Sequence, residues 1–162
     1  MFLLTHQSGM RVGEVAALRI CDVLTADAQI KEEVRLAADQ TKGDRSRVVY
    51  LPTKLQQELK SYLLTRFKCK DLAPITLTDT SRALFATQKN NKRGFSANTL
   101  AQYFHYMYKE VGIEGASSHS GRRGFITNLA NKGVHVRILQ ELASHSSIAV
   151  TQRYIDVNQD KL

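Results

Sequence analysis

Residues 96–112, SANTLAQYFHYMYKEVG, repeat apolar side chains at Leu100, Phe104, Met107 and Val111. Steps of four, three and four residues hold these side chains on one face of a 3.6-residue helix and break the alternation of a strand. Ser96 stands where an N-cap belongs, and Gly112 stands where a helix ends. A helix with such a stripe must lay it on other apolar faces, so the chain is constrained to pack helix against helix.

The rest of the sequence supplies those faces. Residues 1–8 read as the end of a helix stopped by Gly9, and MRVGEVAAL (residues 10–18) as a second short helix. PTKLQQELKSYLLTRF is helical, with Leu55, Leu59, Tyr62 and Leu63 on one face and Thr53 as its expected N-cap. SGRRGFITNLANKG is expected to bury Phe125, Ile126, Leu129 and Ala130 and to close at Gly133; VHVRILQELA follows it. One stretch departs from the helical period. EVRLAADQTKGDRSRVVYLP carries Val34, Leu36, Val48, Val49 and Leu51 on either side of a polar tip containing Gly43, the pattern of a β-hairpin. Residues 69–82 show no clear period, and ALFAT reads as a short extended segment. The expected fold is mainly α with a small antiparallel β-sheet, α+β, in one domain over residues 1–162.

At 162 residues and 43% hydrophobic side chains, the chain is long and apolar enough for one sizeable core. No apolar run reaches the roughly 18 residues of a membrane span, and no basic region precedes the short apolar patch at the N-terminus. Cys21 and Cys69 lie far apart and in no metal-ligand spacing, as free thiols of a reducing compartment would. The charge is more specific. Lys and Arg outnumber Asp and Glu 23 to 15, a net charge of +8. A compact domain this basic suits a polyanion, nucleic acid above all, although a basic protein without such a partner satisfies the same count.

Four short stretches carry residues suited to chemistry. HSSIAVTQRYIDV opens at His145 and reaches Tyr154 nine positions later. Nine residues of helix turn through about 900°, so on one straight helix the two side chains would face opposite ways. Ser146 and Ser147 offer a cap for a helix starting just after His145, which moves the histidine onto a turn. In SSHSGRRGFITNLA, His119 and Arg122 are three apart and share a face at a helix start, where anions are favoured; Arg123 lies about 100° further round. In SGMRVGEVAAL, Arg11 sits at a helix start, where a cation opposes the helix dipole, and Glu14 is placed to pair with it. Lys42 stands at the hairpin tip. Each has a bland counterpart: a core tyrosine beside a capping histidine, a chance His-x-x-Arg, a surface Arg–Glu pair, a solvated tip lysine.

Taken together and in this order, Arg11, Lys42, His119 with Arg122, His145 and Tyr154 resemble the active-site set of the tyrosine recombinases, the phage-integrase family. SGMRVGEVAAL is similar to the segment of the family's first arginine, TKGDRSRVVYLP to the hairpin of its lysine, HSGRRGFITNLANKG to its His-x-x-Arg box, and ELASHSSIAVTQRYIDV to the segment of its final histidine and nucleophile. The likeness runs from about residue 2 to residue 158.

The resemblance implies site-specific recombination of double-stranded DNA. Tyr154 would attack a phosphodiester and form a 3′-phosphotyrosyl link, releasing a 5′-hydroxyl that a second strand's 5′-hydroxyl later replaces. A phenol has a pKa of about 10, so such a nucleophile needs help at neutral pH. Arg11 and Arg122 would grip the non-bridging oxygens, because a planar guanidinium stays charged and matches phosphate geometry. Lys42 would be the general acid, His119 would help remove the tyrosine proton, His145 would donate to the phosphate, and Glu14 would orient Arg11. Arg11, Lys42, Arg122, Arg123 and Arg45 would make the DNA contacts. Because bond energy is conserved, the chemistry implies neither metal nor nucleotide cofactor. The family also implies a tetramer assembled on DNA, and a cytoplasmic, nucleoid-associated place with no membrane.

Three departures from the family pattern stand out. Ser144 precedes the final histidine, where glycine is usual; a positive φ there would strain serine. The N-terminal DNA-binding domain and the first helices of the catalytic domain are expected to be missing ahead of residue 1. The tail after Tyr154 is short, ending at Leu162. A catalytically idle DNA-binding chain and a nicking-closing enzyme of type IB topoisomerase kind therefore remain as alternatives.

Overall fold

The computed structural model describes residues 1–42 and 45–159. Helix α1 (Phe2–Ser8) ends where Gly9 turns left-handed at φ 65°, and its N–H donates back to the Leu4 carbonyl. Helix α2 (Val12–Ala17) starts three residues after Gly9, inside the span expected from residues 10–18, and a single turn, α3 (Ile20–Val23), follows it.

The hairpin is present as β1 (Glu33–Leu36) and β2 (Arg47–Tyr50), antiparallel, with Glu33 opposite Tyr50 and Leu36 opposite Arg47. Alternation sends Val34, Leu36, Arg47 and Val49 inward. Val48 and Tyr50 face outward, so Val48 does not join the core as its neighbours do. A 3₁₀ turn (Ala38–Gln40) leads into the tip. The tip glycine, Gly43, lies outside the described residues.

Helix α4 (Thr53–Phe67) buries Leu55, Leu59 and Leu63 as the period requires. Its N-cap is Pro52 and not Thr53, which is the first helical residue; no side chain caps this end. The segment without a period holds one short helix, α5 (Ala73–Thr76). ALFAT runs extended into a second small antiparallel ladder, β3 (Ala86–Thr87) with β4 (Asn90–Gly94).

Helix α6 (Ala97–Glu110) has the expected cap, with Ser96 Oγ accepting from the Thr99 N–H at 3.1 Å. Its buried stripe is Leu100, Phe104 and Tyr108. Val111, expected in that stripe, is 69% exposed. The helix has already ended at Glu110, and the register is fixed by the Phe2 ring, which stacks on Phe104 (4.1 Å between centroids) and meets Tyr108 edge-on. Helices α7 (Ser120–Asn131), α8 (Val136–Ala143) and α9 (Ile148–Gln159) complete the chain. Ile126 of α7 is buried. Phe125, Leu129 and Ala130 are only half-buried, and Gly133 takes the positive φ expected at the helix end. No described helix is long and apolar enough to cross a membrane.

Helix α1 lies against α7 at a point where α7 has no side chain. A Cβ built on Gly121 would collide with Thr5 and His6, whereas one built on Gly124, a turn away, would meet nothing within 4 Å. Opposite outcomes are expected from the same chemical change. Gly121→Ala should destabilise the fold by ~1–3 kcal/mol through overpacking, and Gly124→Ala should be neutral or stabilising by up to ~1 kcal/mol through helix propensity. Urea denaturation of the two variants checks this.

Candidate active site

Arg11 is the N-cap of α2, in extended conformation. Its own N–H donates to Glu14 Oε2 at 2.8 Å, so the carboxylate closes the helix end from inside. Arg11 Nη1 donates to the other oxygen, Glu14 Oε1, at 3.0 Å. Glu14 is 1% exposed. It takes a third donor from across the fold, Arg47 Nη2 at 2.8 Å. One buried carboxylate thus joins α2 to strand β2.

Arg122, one turn into α7, is also buried; its Nη1 donates to the Gly9 carbonyl at 2.6 Å. The Gly9 carbonyl accepts from Arg47 as well, at 3.4 Å. The three guanidiniums share a further set of acceptors at the C-terminus of α8. Arg47 donates to the Leu142 carbonyl at 3.0 Å, Arg122 to the Ala143 carbonyl, and Arg11 to the Ser144 carbonyl at 3.2 Å. The last carbonyls of a helix lack intrahelical donors and carry the negative end of its dipole, which is why three cations gather there.

Three guanidiniums against one carboxylate leave a surplus of two positive charges. Burial lowers the pKa of Arg122 to about 9, and repulsion from Arg11 and Arg47 adds to the effect. Arg122 is still protonated at neutral pH, and the surplus favours an anion. Above these groups opens a cleft of about 730 Å³, lined by Arg11, Lys42, Arg45, Arg47, Arg122, His119, His145 and Tyr154 among others. No carboxylate is among its described lining residues. His119 is the exposed N-cap of α7, one turn before Arg122, so the two share the face that spacing predicts. Arg123 is exposed and does not line the cleft.

The chain does bend between His145 and Tyr154. Helix α8 ends at Ser144 with φ 45° and ψ 51°, His145 lies on the turn, and α9 begins at Ile148. Ser144 therefore occupies the left-handed region, which glycine would occupy without strain. His145 nonetheless reaches Tyr154: the rings stack at 5.3 Å, inclined by 15°. Thr151, wholly buried in α9, places its Oγ1 2.9 Å from His145 Nδ1. Burial, then repulsion from Arg122, Arg11 and Arg47, lowers the His145 pKa to about 4, so the imidazole is neutral at neutral pH.

The cleft gathers all six residues expected to act, with Arg45, and Glu14 lies directly beneath. Arg47 and Thr151 were not anticipated. Both leave a trace in the sequence. Alternation that turns Val49 inward turns Arg47 inward too, and an inward arginine needs partners. Thr151 precedes Tyr154 by three residues, so it shares its side of α9.

A sequence profile of the phage integrase family matches residues 1–161. The chain belongs to the phage integrase family. The tyrosine recombinase XerA of Pyrococcus furiosus is 30% identical over 161 residues, covering 99% of this chain and 50% of that protein. The tyrosine recombinase XerD of Corynebacterium glutamicum is 28% identical over 160 residues, 98% of this chain and 48% of that protein. The chain spans about half the length of the curated relatives it matches. Among solved structures, XerA recombinase superposes with a TM-score of 0.71 at 27% identity, over 94% of this chain and 50% of that one. The XerH site-specific recombinase, solved bound to a palindromic difH substrate as a post-cleavage complex, shares the fold with a TM-score of 0.68 at 22% identity, over 94% of this chain and 40% of that one. The integrase fold is thus the mainly helical one with a small antiparallel sheet that the sequence implied.

Two measurements probe the turn between α8 and α9. Ser144→Gly should stabilise the protein by ~1 kcal/mol, the cost of a left-handed residue with a Cβ, seen as a higher urea midpoint. The second concerns pH. In the unfolded chain His145 would take up a proton near pH ~6.5, but in the folded protein only near about 4. The unfolded state therefore binds more protons between these values. The stability that the neutral histidine contributes is complete above the upper value and is lost as pH falls towards the lower. His145→Gln should flatten that acid-side decline, and the His145 Cε1 proton should show no titration near pH ~6.5 in NMR spectra of the wild-type chain.

Proposed function

We propose that this chain is the catalytic part of a site-specific DNA recombinase that cuts and rejoins strands through Tyr154. The observation that carries the reading is the surplus of positive charge: three arginines around one buried carboxylate, facing a cleft that also holds Tyr154, His119 and His145. A phosphodiester suits that surplus, because its transfer is accelerated chiefly by positioning and by stabilising charge on the non-bridging oxygens.

In the proposed step Tyr154 Oη forms a bond to phosphorus as the bond to the 5′-oxygen breaks. The phenolic proton passes to His119, and Lys42 protonates the leaving 5′-oxygen. The non-bridging oxygens are held by Arg11 and Arg122. His145 acts as a neutral donor in the proposed tautomer, in which Nδ1 accepts from the Thr151 hydroxyl 2.9 Å away and Nε2 carries the ring proton towards the phosphate. The phosphate stays esterified throughout, now to tyrosine, so attack by a 5′-hydroxyl restores DNA by the reverse path. Double-stranded DNA is the proposed substrate, in keeping with the charge of +8, and four copies on two DNA sites the proposed assembly. Acting on chromosomal or mobile-element DNA would place the protein in the cytoplasm, at the nucleoid.

Covalent capture tests this. Nicked duplexes with a randomised core are incubated with the chain, and protein–DNA adducts stable to detergent are recovered and sequenced. Wild type should yield adducts enriched in one core sequence, Tyr154→Phe none, and Arg122→Gln at least ~100-fold fewer, the scale of one lost charge-stabilising donor. Salt-dependent DNA binding with no adduct above the Tyr154→Phe background would instead make the chain a binding module.

A further inference from the structure

Two buried polar side chains flank the segment that carries Lys42. On one side stands Gln40, 6% exposed. Its Nε2 donates to the Ala17 carbonyl at 3.1 Å and to Asp22 Oδ2 at 2.7 Å, and its Oε1 accepts from the Ala37 N–H at 3.0 Å. On the other side stands Arg47, tied to Glu14. Ala17 and Glu14 both belong to α2, the helix that Arg11 caps. The Leu36–Arg47 pair is the last rung of the hairpin ladder; beyond it Gln40 and Arg47 are the buried side chains that tie the described part of this segment to the fold, with an exposed Asp39–Arg19 pair at 3.3 Å beside them. Lys42 lines the cleft, and no hydrogen bond or ion pair holds it among the described residues.

Packing alone does not call for either side chain. An apolar residue at an inward strand position fills space without burying a charge, whereas Arg47 adds a second buried cation beside Arg122, and its Nε has no partner among the described residues. A lysine ammonium is a point charge on a flexible stem, so its position is only as good as the backbone that bears it. Anchoring both ends of that backbone to α2 refers the lysine to the same rigid body as Arg11.

We propose that Gln40 and Arg47 are positioning residues that clamp the Lys42 segment to α2, so that Lys42 and Arg11 address one phosphate as a unit. The proposal rests on the strand-cleaving reading, and it predicts a defect confined to the leaving-group side of the reaction. A 5′-oxygen needs a proton in order to leave; a 5′-bridging sulfur does not.

The test uses the 162-residue chain on the core sequence recovered by covalent capture, made with oxygen or with sulfur at the 5′-bridging position. On oxygen DNA, Arg47→Met and Gln40→Ala should form adduct ~10-fold or more slowly than wild type, a partial loss of general-acid catalysis. On sulfur DNA Gln40→Ala should come within ~3-fold of wild type, as Lys42→Ala should, since no acid is needed, while Arg47→Met should regain only part of its loss there because it also removes a charge from the cluster. Arg47→Lys, which keeps the charge but not the fork, should behave as Arg47→Met does on oxygen DNA. Equal rates for variants and wild type on oxygen DNA would overturn the proposal. So would an equal slowing on both DNAs, which would mean that the anchors serve the arginines and not the lysine. If wild type gives no adduct on either DNA, the strand-cleaving reading fails and the clamp falls with it. Should Arg47→Met not fold, as its thermal melt would show, Gln40→Ala leaves the arginine cluster untouched and decides the matter.

Discussion

Glu14 is the group on which the site depends. Its carboxylate accepts from the backbone and side chain of Arg11 and from the side chain of Arg47, and it is shut off from water. A charge this deeply buried is tolerable only when its partners are close and well aligned. The partners come from a helix start and a strand, so the requirement to satisfy one carboxylate fixes how hairpin and helix meet. Remove it, and three guanidiniums would face one another with nothing but carbonyl dipoles between them.

Those dipoles are the second part of the design. The carbonyls of residues 142–144 each take one guanidinium, and the Gly9 carbonyl takes two. Each of the three arginines is therefore held by the protein's own acceptors, so the cluster is preorganised for an anion. Burial disfavours a charged ring at His145, and the three neighbouring cations add to that, so it stays neutral at neutral pH.

Much of this could be read from the sequence, because period and spacing are local. The stripe of α6, the hairpin, the stop at Gly9 and the bend after His145 follow from neighbouring residues. The failures have a common cause in distant contacts. Val111 fits the helical period, yet Phe2, a hundred residues earlier in the chain, selects Tyr108 for the buried face. Thr53 has the chemistry of a cap, but the helix begins one residue too early for it. Arg47 follows the polar hairpin tip and carries no signal of its own there; only the approach of α2 and α8 makes it an internal cation. The candidate residues themselves were legible as types in a fixed order, while the acceptors that hold them are backbone carbonyls, which carry no signature in side-chain sequence.

Gly9 shows where that leads. It stops α1, it leaves room for the Phe125 ring where a Cβ would collide, and its carbonyl bonds two buried arginines. The first turns of the chain are thus wired into the arginine cluster and are not a dispensable overhang. Trimming from the front would leave Tyr154 and every titratable member of the cleft in place, yet short-circuit the arrangement by stranding two guanidiniums without their common acceptor.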